Sequence, residues 1–316
     1  MNSLPSSVRI REEGPRDGWQ NIDEPLIPTS VKLELIERLL DSGIRHISVT
    51  SMVSPRWVPQ LADADVLLRK LRRRPGVSYE VLVPNQRGLD RLLALVSAGA
   101  PVDEVGVVVS ASEAHNRANL NRSVAETLEA IKGMAPRLGE NGLGLVASVA
   151  TAFGCSLAGA VPPAQVAVLV RALVSFGARE IVLGDTTGMA SPRQVAEVMD
   201  AIGQLPPDVT ITMHFHDTRG AGLANILMSL QLGVDSFETS YGELGGCQFA
   251  RGATGNVATE SLVSMLNGMG ISTGIEIGPL VDVVHQTELA LGGPIPSKLA
   301  SAGEVQWVTE EQNDIL

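Results

Sequence analysis

Aromatic residues are scarce in this sequence: five Phe, three Trp and two Tyr make up 3% of 316 residues. A core of stacked rings is excluded, and with hydrophobic residues at 44% the interior must be filled by Leu, Val, Ala and Ile. Cysteine is scarcer still. Cys155 and Cys247 alone cannot build a disulfide framework or a metal site of four thiolates, so a reducing compartment is the default. No run approaches the roughly 18 uninterrupted apolar residues that a membrane span needs, so no membrane partner is expected. The first residues, MNSLPSSVRIREEGPRDG, hold no apolar stretch of signal-peptide type, and a cytoplasmic chain is expected. Positive charge is also short. With 24 Lys and Arg against 35 Asp and Glu, the net charge of −11 would repel a nucleic-acid backbone unless basic residues clustered. The clearest cluster, LRKLRRR at 68–74, is small and reads as the basic end of a helix, complementing its dipole.

What is present is a regular alternation of short apolar runs with longer amphipathic ones. Eight runs read as strands, at 8–12, 46–51, 78–84, 104–110, 143–151, 180–184, 209–216 and 236–241. Between them lie helix-like segments, clearest at 31–40 and 163–176, each closed by Ser-Gly or Phe-Gly before the next strand. Eight βα units without a linker or a shift in composition favour one closed (β/α)8 TIM barrel over a doubly wound sheet. The barrel is expected over 1–276. A short C-terminal helical extension follows over 277–316, with a helix at 280–291 and a Gly-Pro-rich, acidic tail that either caps the barrel or packs on a partner.

In such a barrel the chemistry belongs on the loops at the C-terminal ends of the strands. The polar motifs fall there: Gly14-Pro15-Arg16-Asp17-Gly18 after the first strand, Gly184-Asp185-Thr186-Thr187-Gly188 after the sixth, His214-Phe215-His216-Asp217 at the end of the seventh, Gly245-Gly246-Cys247 after the eighth. Residues two apart on a strand share a face, so His214 and His216 can both point into the barrel mouth. Either one is a satisfied core residue and the other binds substrate, or the two share a cation. Asp17 favours the second reading, because imidazole, carboxylate and a neutral oxygen donor together suit a divalent ion such as Mg²⁺, Mn²⁺, Zn²⁺ or Co²⁺. The segment 242–256 is too glycine-dense for a strand or helix. It reads as a lid that delivers the Cys247 thiol, or as a flexible or phosphate-binding connection. Cys155, after the fifth run, fits an inert core position as well as a functional one.

The stretches GPRDGWQN (14–21), VSPRWVPQ (53–60), the His-Phe-His-Asp-Thr segment, and Gly245-Gly246-Cys247 leading to Gly255-Asn256-Val257-Ala258-Thr259-Glu260 resemble the hydroxymethylglutaryl-CoA lyase family of metal-dependent lyase and aldolase barrels. The resemblance implies cleavage of a 3-hydroxy-3-substituted acyl-CoA into acetyl-CoA and a keto acid. It implies a divalent cation, Mg²⁺ or Mn²⁺ first, on Asp17, His214, His216 and Asn256. Arg16 would stabilise the enolate of acetyl-CoA, though it could equally be a structural ion-pair partner. Cys247 would move the proton at carbon, and Asp185 would orient a ligand or relay a proton unless it only caps its own turn. Glu260 would support the site or sit at a helix N-terminus. Gln20, Ser48, Thr186 and Arg219 fall on the substrate side. The chain departs from the family at three places. Ser48 stands where an active-site Glu is usual, Arg219 replaces a Tyr, and Ile22-Asp23-Glu24-Pro25 replaces an acidic and lysine-bearing loop. Two rivals stay open: a metal-dependent aldolase of a hydroxy-keto acid, which has no need of Cys247, and an acyl-CoA-binding homologue with lost or altered activity. Barrels of this type commonly pair, so a homodimer or higher homo-oligomer is expected.

Overall fold

In a computed structural model, which describes residues 4–22, 24–246 and 255–303, the apolar runs form eight parallel strands. They are β1 (Arg9–Glu12), β2 (His46–Ser51), β3 (Ser78–Leu82), β4 (Glu104–Ser110), β5 (Gly144–Ala150), β6 (Glu180–Asp185), β7 (Thr210–Phe215) and β8 (Ser236–Thr239). Each bonds to its neighbours in sequence and β1 bonds to β8, so the chain is a closed (β/α)8 barrel. Around the barrel run α1 (Thr29–Asp41), α2 (Ala64–Lys70), α3 (Gln86–Ser97), α4 (Glu113–Leu120), α5 (Val124–Glu140), α6 (Pro163–Ser175), α7 (Pro192–Ile202), α8 (Gly222–Gln231) and α9 (Thr259–Gly268); α10 (Ile277–Leu291) and α11 (Lys298–Ala302) follow. No helix among the described residues is long and apolar enough to cross a membrane.

Local sequence sets the helix starts. Ser123 and Ser191 each accept a bond from the backbone N–H three residues on, and the Glu126 and Gln194 side chains in turn accept the Ser backbone N–H. These reciprocal caps satisfy donors that a helix N-terminus leaves free. The basic stretch at 68–74 straddles the end of α2: Arg69 and Lys70 lie in its last turn, whereas Arg73 and Arg74 lie beyond it and pair with Asp103 and Asp41, both at 2.8 Å.

The strands alternate with period two. One face, carrying Ile47 and Val49, Tyr79 and Val81, Ile181 and Leu183, Met213 and Phe215, is buried against the helices in the aliphatic core that composition implied. The lumen differs from that expectation, because it is ionic. Arg11 on β1, 1% exposed, donates to Glu80 on β3, to Glu104 on β4 at 2.9 Å and to Glu180 on β6 at 3.0 Å. Strands that are not neighbours in the wall can meet only across the interior, so these side chains fill the barrel where branched aliphatics are usual. Charge there is tolerated because it is paired and hydrogen-bonded.

The segment after the eighth unit packs back on the rim. Tyr241, just past β8, receives the Trp19 indole N–H at 2.8 Å, and its hydroxyl meets Thr287 Oγ1 of α10 at 3.0 Å. Ser297 donates to Glu260 at 2.6 Å, and Lys298 reaches Glu243 at 2.9 Å and Asp217 at 3.2 Å. Residues 277–303 thus brace the loops that follow β7 and β8.

Candidate metal centre and active site

The Gly14–Gly18 segment is a π-helical turn rather than an open loop. The Glu13 carbonyl accepts the N–H groups of Arg16, Asp17 and Gly18 at 3.0, 2.7 and 3.1 Å, which swings the Asp17 side chain over the barrel mouth. Across from it, His214 and His216 present Nε2 atoms 3.2 Å apart. One ligand atom from each of Asp17, His214 and His216 lies within 4.8 Å of the others, and all three side chains are buried. His214 Nδ1 lies 3.0 Å from Glu238 Oε2. A proton held on that nitrogen leaves the Nε2 lone pair aimed at the cluster. Asn256, bridged to His216 through the backbone, donates its side-chain amide to Asp17 Oδ2 at 2.8 Å and to the Leu244 carbonyl at 2.9 Å; its own Oδ1 is buried with no hydrogen-bond partner.

The electrostatics match the geometry. Burial pushes both imidazoles down to about 4, for His214 against the pull of Asp17 and for His216 with the added push of His214, so both are neutral at pH 7. Burial alone would raise the Asp17 carboxyl, but Arg16, then His214, His216 and the Asn256 amide, outweigh it and hold the group below the usual carboxylate range. Two neutral imidazoles, an ionised carboxylate and an orphaned amide oxygen are a mixed N/O donor set that fits a divalent cation. Arg16 stands beside it. Its Nη1 donates to Asp17 Oδ1 at 2.8 Å and its Nη2 to Glu13, while Nε has no partner.

The HMGL-like family pattern matches residues 7–286. The chain is 42% identical over 93% of its length to a hydroxymethylglutaryl-CoA lyase of Bacillus subtilis, 96% of which is covered. The chain belongs to the HMGL-like family. A mitochondrial hydroxymethylglutaryl-CoA lyase of Arabidopsis thaliana is also 42% identical over 95% of the chain, although the chain spans only 63% of that longer relative. Among solved structures, an HMG-CoA lyase of Acinetobacter baumannii in complex with coenzyme A and 3-methylmalate superposes with a TM-score of 0.89 at 34% identity, covering 98% of this chain and 100% of that one.

Against the HMGL-like pattern the remaining expected residues divide. Gln20 reaches the cluster, donating to Asp17 Oδ1 at 2.5 Å. Ser48 lies on the lumen side of β2, in register with Glu80, buried and with an unpartnered Oγ. Asp185, Thr186 and Arg219 brace rim loops: Asp185 Oδ1 accepts from Met189 and Ala190, Thr186 Oγ1 accepts the Thr151 N–H, and Arg219 donates to the Thr187 and Gly188 carbonyls. Asp185 therefore does cap its own turn, yet its Oδ2 is buried without a partner, and burial pushes its carboxyl up to about 7. Glu260 accepts from the Gly242 N–H and Ser297, fixing the turn after β8. Cys155 is fully buried, its Sγ accepting from Leu157, as an inert core thiol would be. Cys247 falls in 247–254, outside the described residues.

The described flanks of that segment are closely packed. A side chain at Gly245, where φ is +112°, would strike the Asn256 amide and come within 3.0 Å of Asp17 Oδ2, and one at Gly255 would run into the Glu243 carbonyl. Gly245 thus permits close approach of backbone to Asp17 and Asn256, and Gly255 close approach to the backbone at Glu243. Sequence reasoning missed Glu13 and Glu238. With Glu80 they form a second buried group whose carboxylate oxygens all lie within 4.8 Å. The signal for Glu13 was the period-two pattern Arg11, Glu13 at the end of β1, and for Glu238 a carboxylate in the middle of a buried strand.

Proposed function

We propose that this chain is a divalent-metal-dependent carbon–carbon lyase that cleaves 3-hydroxy-3-methylglutaryl-CoA, or a closely related 3-hydroxyacyl-CoA, to acetyl-CoA and a keto acid. The observation that carries the reading is the convergence of Asp17, His214 and His216 within 4.8 Å, with Arg16 on the outer oxygen of Asp17. Asp17, His214, His216 and the Asn256 side-chain oxygen would hold Mg²⁺ or Mn²⁺, with Zn²⁺ and Co²⁺ compatible with the same donors. The bound cation supplies Lewis acidity that lowers the pKa of the substrate's 3-hydroxyl.

The chain's own residues do the rest. Arg16, permanently charged and held at Nη1 and Nη2, stabilises the thioester oxygen as negative charge develops there on C2–C3 cleavage. Glu238 holds His214 in the tautomer that leaves Nε2 free. Cys247 would give a proton to C2 of the acetyl-CoA enolate. Asp185, its carboxyl up at about 7, exchanges protons near neutral pH and would take up the 3-hydroxyl proton as the C2–C3 bond breaks. Gln20, Ser48, Thr186 and Arg219 would shape the substrate side of the rim. The acyl-CoA class is supported by the coenzyme A bound to the Acinetobacter baumannii relative. A homodimer or higher homo-oligomer in a reducing, cytoplasmic setting belongs to the same proposal, in keeping with two cysteines in 316 residues.

Purified protein with Mn²⁺ is offered hydroxymethylglutaryl-CoA, a citramalyl-CoA-like thioester and a 4-hydroxy-2-keto acid in parallel. Acetyl-CoA release from a thioester is expected. Cleavage of the keto acid alone would install the aldolase reading, and saturable binding of the thioesters without cleavage would install the acyl-CoA-binding reading, which the missing carboxylate at Ser48 favours.

A further inference from the structure

We infer that Glu13 is the carboxylate that positions Arg16, delivered from β1 into the place that Ser48 leaves without one on β2. The inference rests on the lyase reading, which gives Arg16 its task at the thioester oxygen.

Glu13 is fully buried and closes β1, its N–H bonded to the Thr239 carbonyl at 2.8 Å. Its side-chain Oε2 takes the Arg16 Nη2 donor while Asp17 takes Nη1, so two carboxylates grip two edges of one guanidinium. Such a grip fixes the plane of the group as well as its place. Bracing the turn does not require it. The Glu13 carbonyl already gathers three N–H groups of the turn, and the neighbouring Glu12 carboxylate ties Gly14 N–H at 2.7 Å, Tyr241 N–H at 3.1 Å and Thr259 Oγ1 at 2.6 Å. Stability alone would also disfavour the group, since it puts a third buried carboxylate beside Glu80 and Glu238 and leaves Glu13 Oε1 unpartnered. Holding Arg16 offsets that cost.

The link to Ser48 is spatial. Ser48 sits in register with Glu80, whose carboxylate lies within 4.8 Å of that of Glu13, and β2 packs against the Gly14–Gly18 turn. The Ser48 hydroxyl is buried and bonds to nothing, whereas a Glu side chain at the same position would carry its carboxylate two bonds farther into the lumen, on the side where Glu80 and Glu13 lie.

The test uses the Mn²⁺-loaded protein, hydroxymethylglutaryl-CoA and the variants E13Q, E13A, S48E and E13A/S48E. E13A is expected to lose kcat by about 100-fold, as for a misplacement of a reacting group by roughly 1 Å, with KM and calorimetric Mn²⁺ affinity within about threefold. E13Q, which keeps an acceptor, should retain more activity than E13A. The double variant should regain at least about tenfold of the lost kcat, and S48E alone, which crowds a fourth carboxylate into the group, should lower it. A crystal structure of E13A should show the Arg16 guanidinium displaced while Asp17, His214 and His216 keep their places. An E13A protein with unchanged kcat, a loss that tracks Mn²⁺ affinity or thermal melting, an unmoved Arg16, or no recovery in the double variant would each overturn the assignment. If the unmodified protein cleaves no thioester, it is the lyase reading that fails, and the E13A crystal structure still decides whether Glu13 holds Arg16.

Discussion

His214 illustrates how its surroundings leave a single side chain able to bind a cation. Burial keeps its imidazole neutral, pushed down to about 4, and Glu238 at 3.0 Å decides which nitrogen carries the proton. Glu238→Ala removes that acceptor and should weaken Mn²⁺ binding on the order of ten- to a hundredfold. Calorimetric titration at pH 7.5 checks it, and an unchanged affinity would mean that Glu238 serves only the carboxylate group around it. Asp17 and the His214/His216 pair were legible in the sequence because each depends on a local pattern, a Gly-Pro-Arg-Asp-Gly turn and a two-residue repeat. Glu238 was not, because its role follows from the pairing of His214 opposite Glu238 between β7 and β8, which no local pattern states. Asp185 remains double-faced at this scale, one oxygen capping a turn and the other free.

The strand is where the sequence reads best and its inner face where it reads worst. Seven of the eight strands lie within the runs that alternation picked out, five of them with ends trimmed by one or two residues, and β6 extends one residue past its run. The outward faces are aliphatic, as composition required. The inward faces are not, because pairing among Arg11, Glu80, Glu104 and Glu180 depends on four strands meeting across the lumen, and charged residues in separate strands look solvated when read singly. Arg11→Leu leaves Glu80 and Glu104 without this cation and Glu180 with Arg9 alone, and should cost about 3–5 kcal/mol of stability. A urea titration reads it directly. A variant as stable as the parent would mean that the carboxylates take up protons at no cost, and that the network contributes nothing.

Across the whole molecule, opposing buried groups set how stability follows pH. The carboxyls of Glu12 and Asp185, pushed up to about 7 by burial, keep protons that the unfolded chain sheds near its ordinary carboxylate range. Their contribution is full at low pH and is lost as pH rises through about 7. His46, His214 and His216, pushed down to about 4 by burial, act oppositely: the unfolded chain takes up protons below 6.5 that the folded chain refuses, so their contribution is lost as pH falls from 6.5 toward 4. Above 6.5 the carboxyls dominate, because the unfolded imidazoles there lose only their remaining half proton. Protein kept in EDTA should have a lower urea midpoint at pH 8.5 than at pH 6.5, and the reverse order would contradict these assignments. At this scale the barrel was legible from eight repeats of one grammar, whereas the sequence left open whether the C-terminal extension caps the barrel or packs on a partner, because the choice rests on contacts such as Tyr241 with Thr287 that join distant parts of the chain. The central claim is that the barrel mouth is a metal-dependent lyase centre. It is tested most directly by acetyl-CoA release from hydroxymethylglutaryl-CoA, measured on EDTA-treated protein before and after Mg²⁺ or Mn²⁺ is restored. Release that appears only with the cation, and is absent from Asp17→Asn, is the expected result; release that is indifferent to the cation, or none with either metal, would contradict the account.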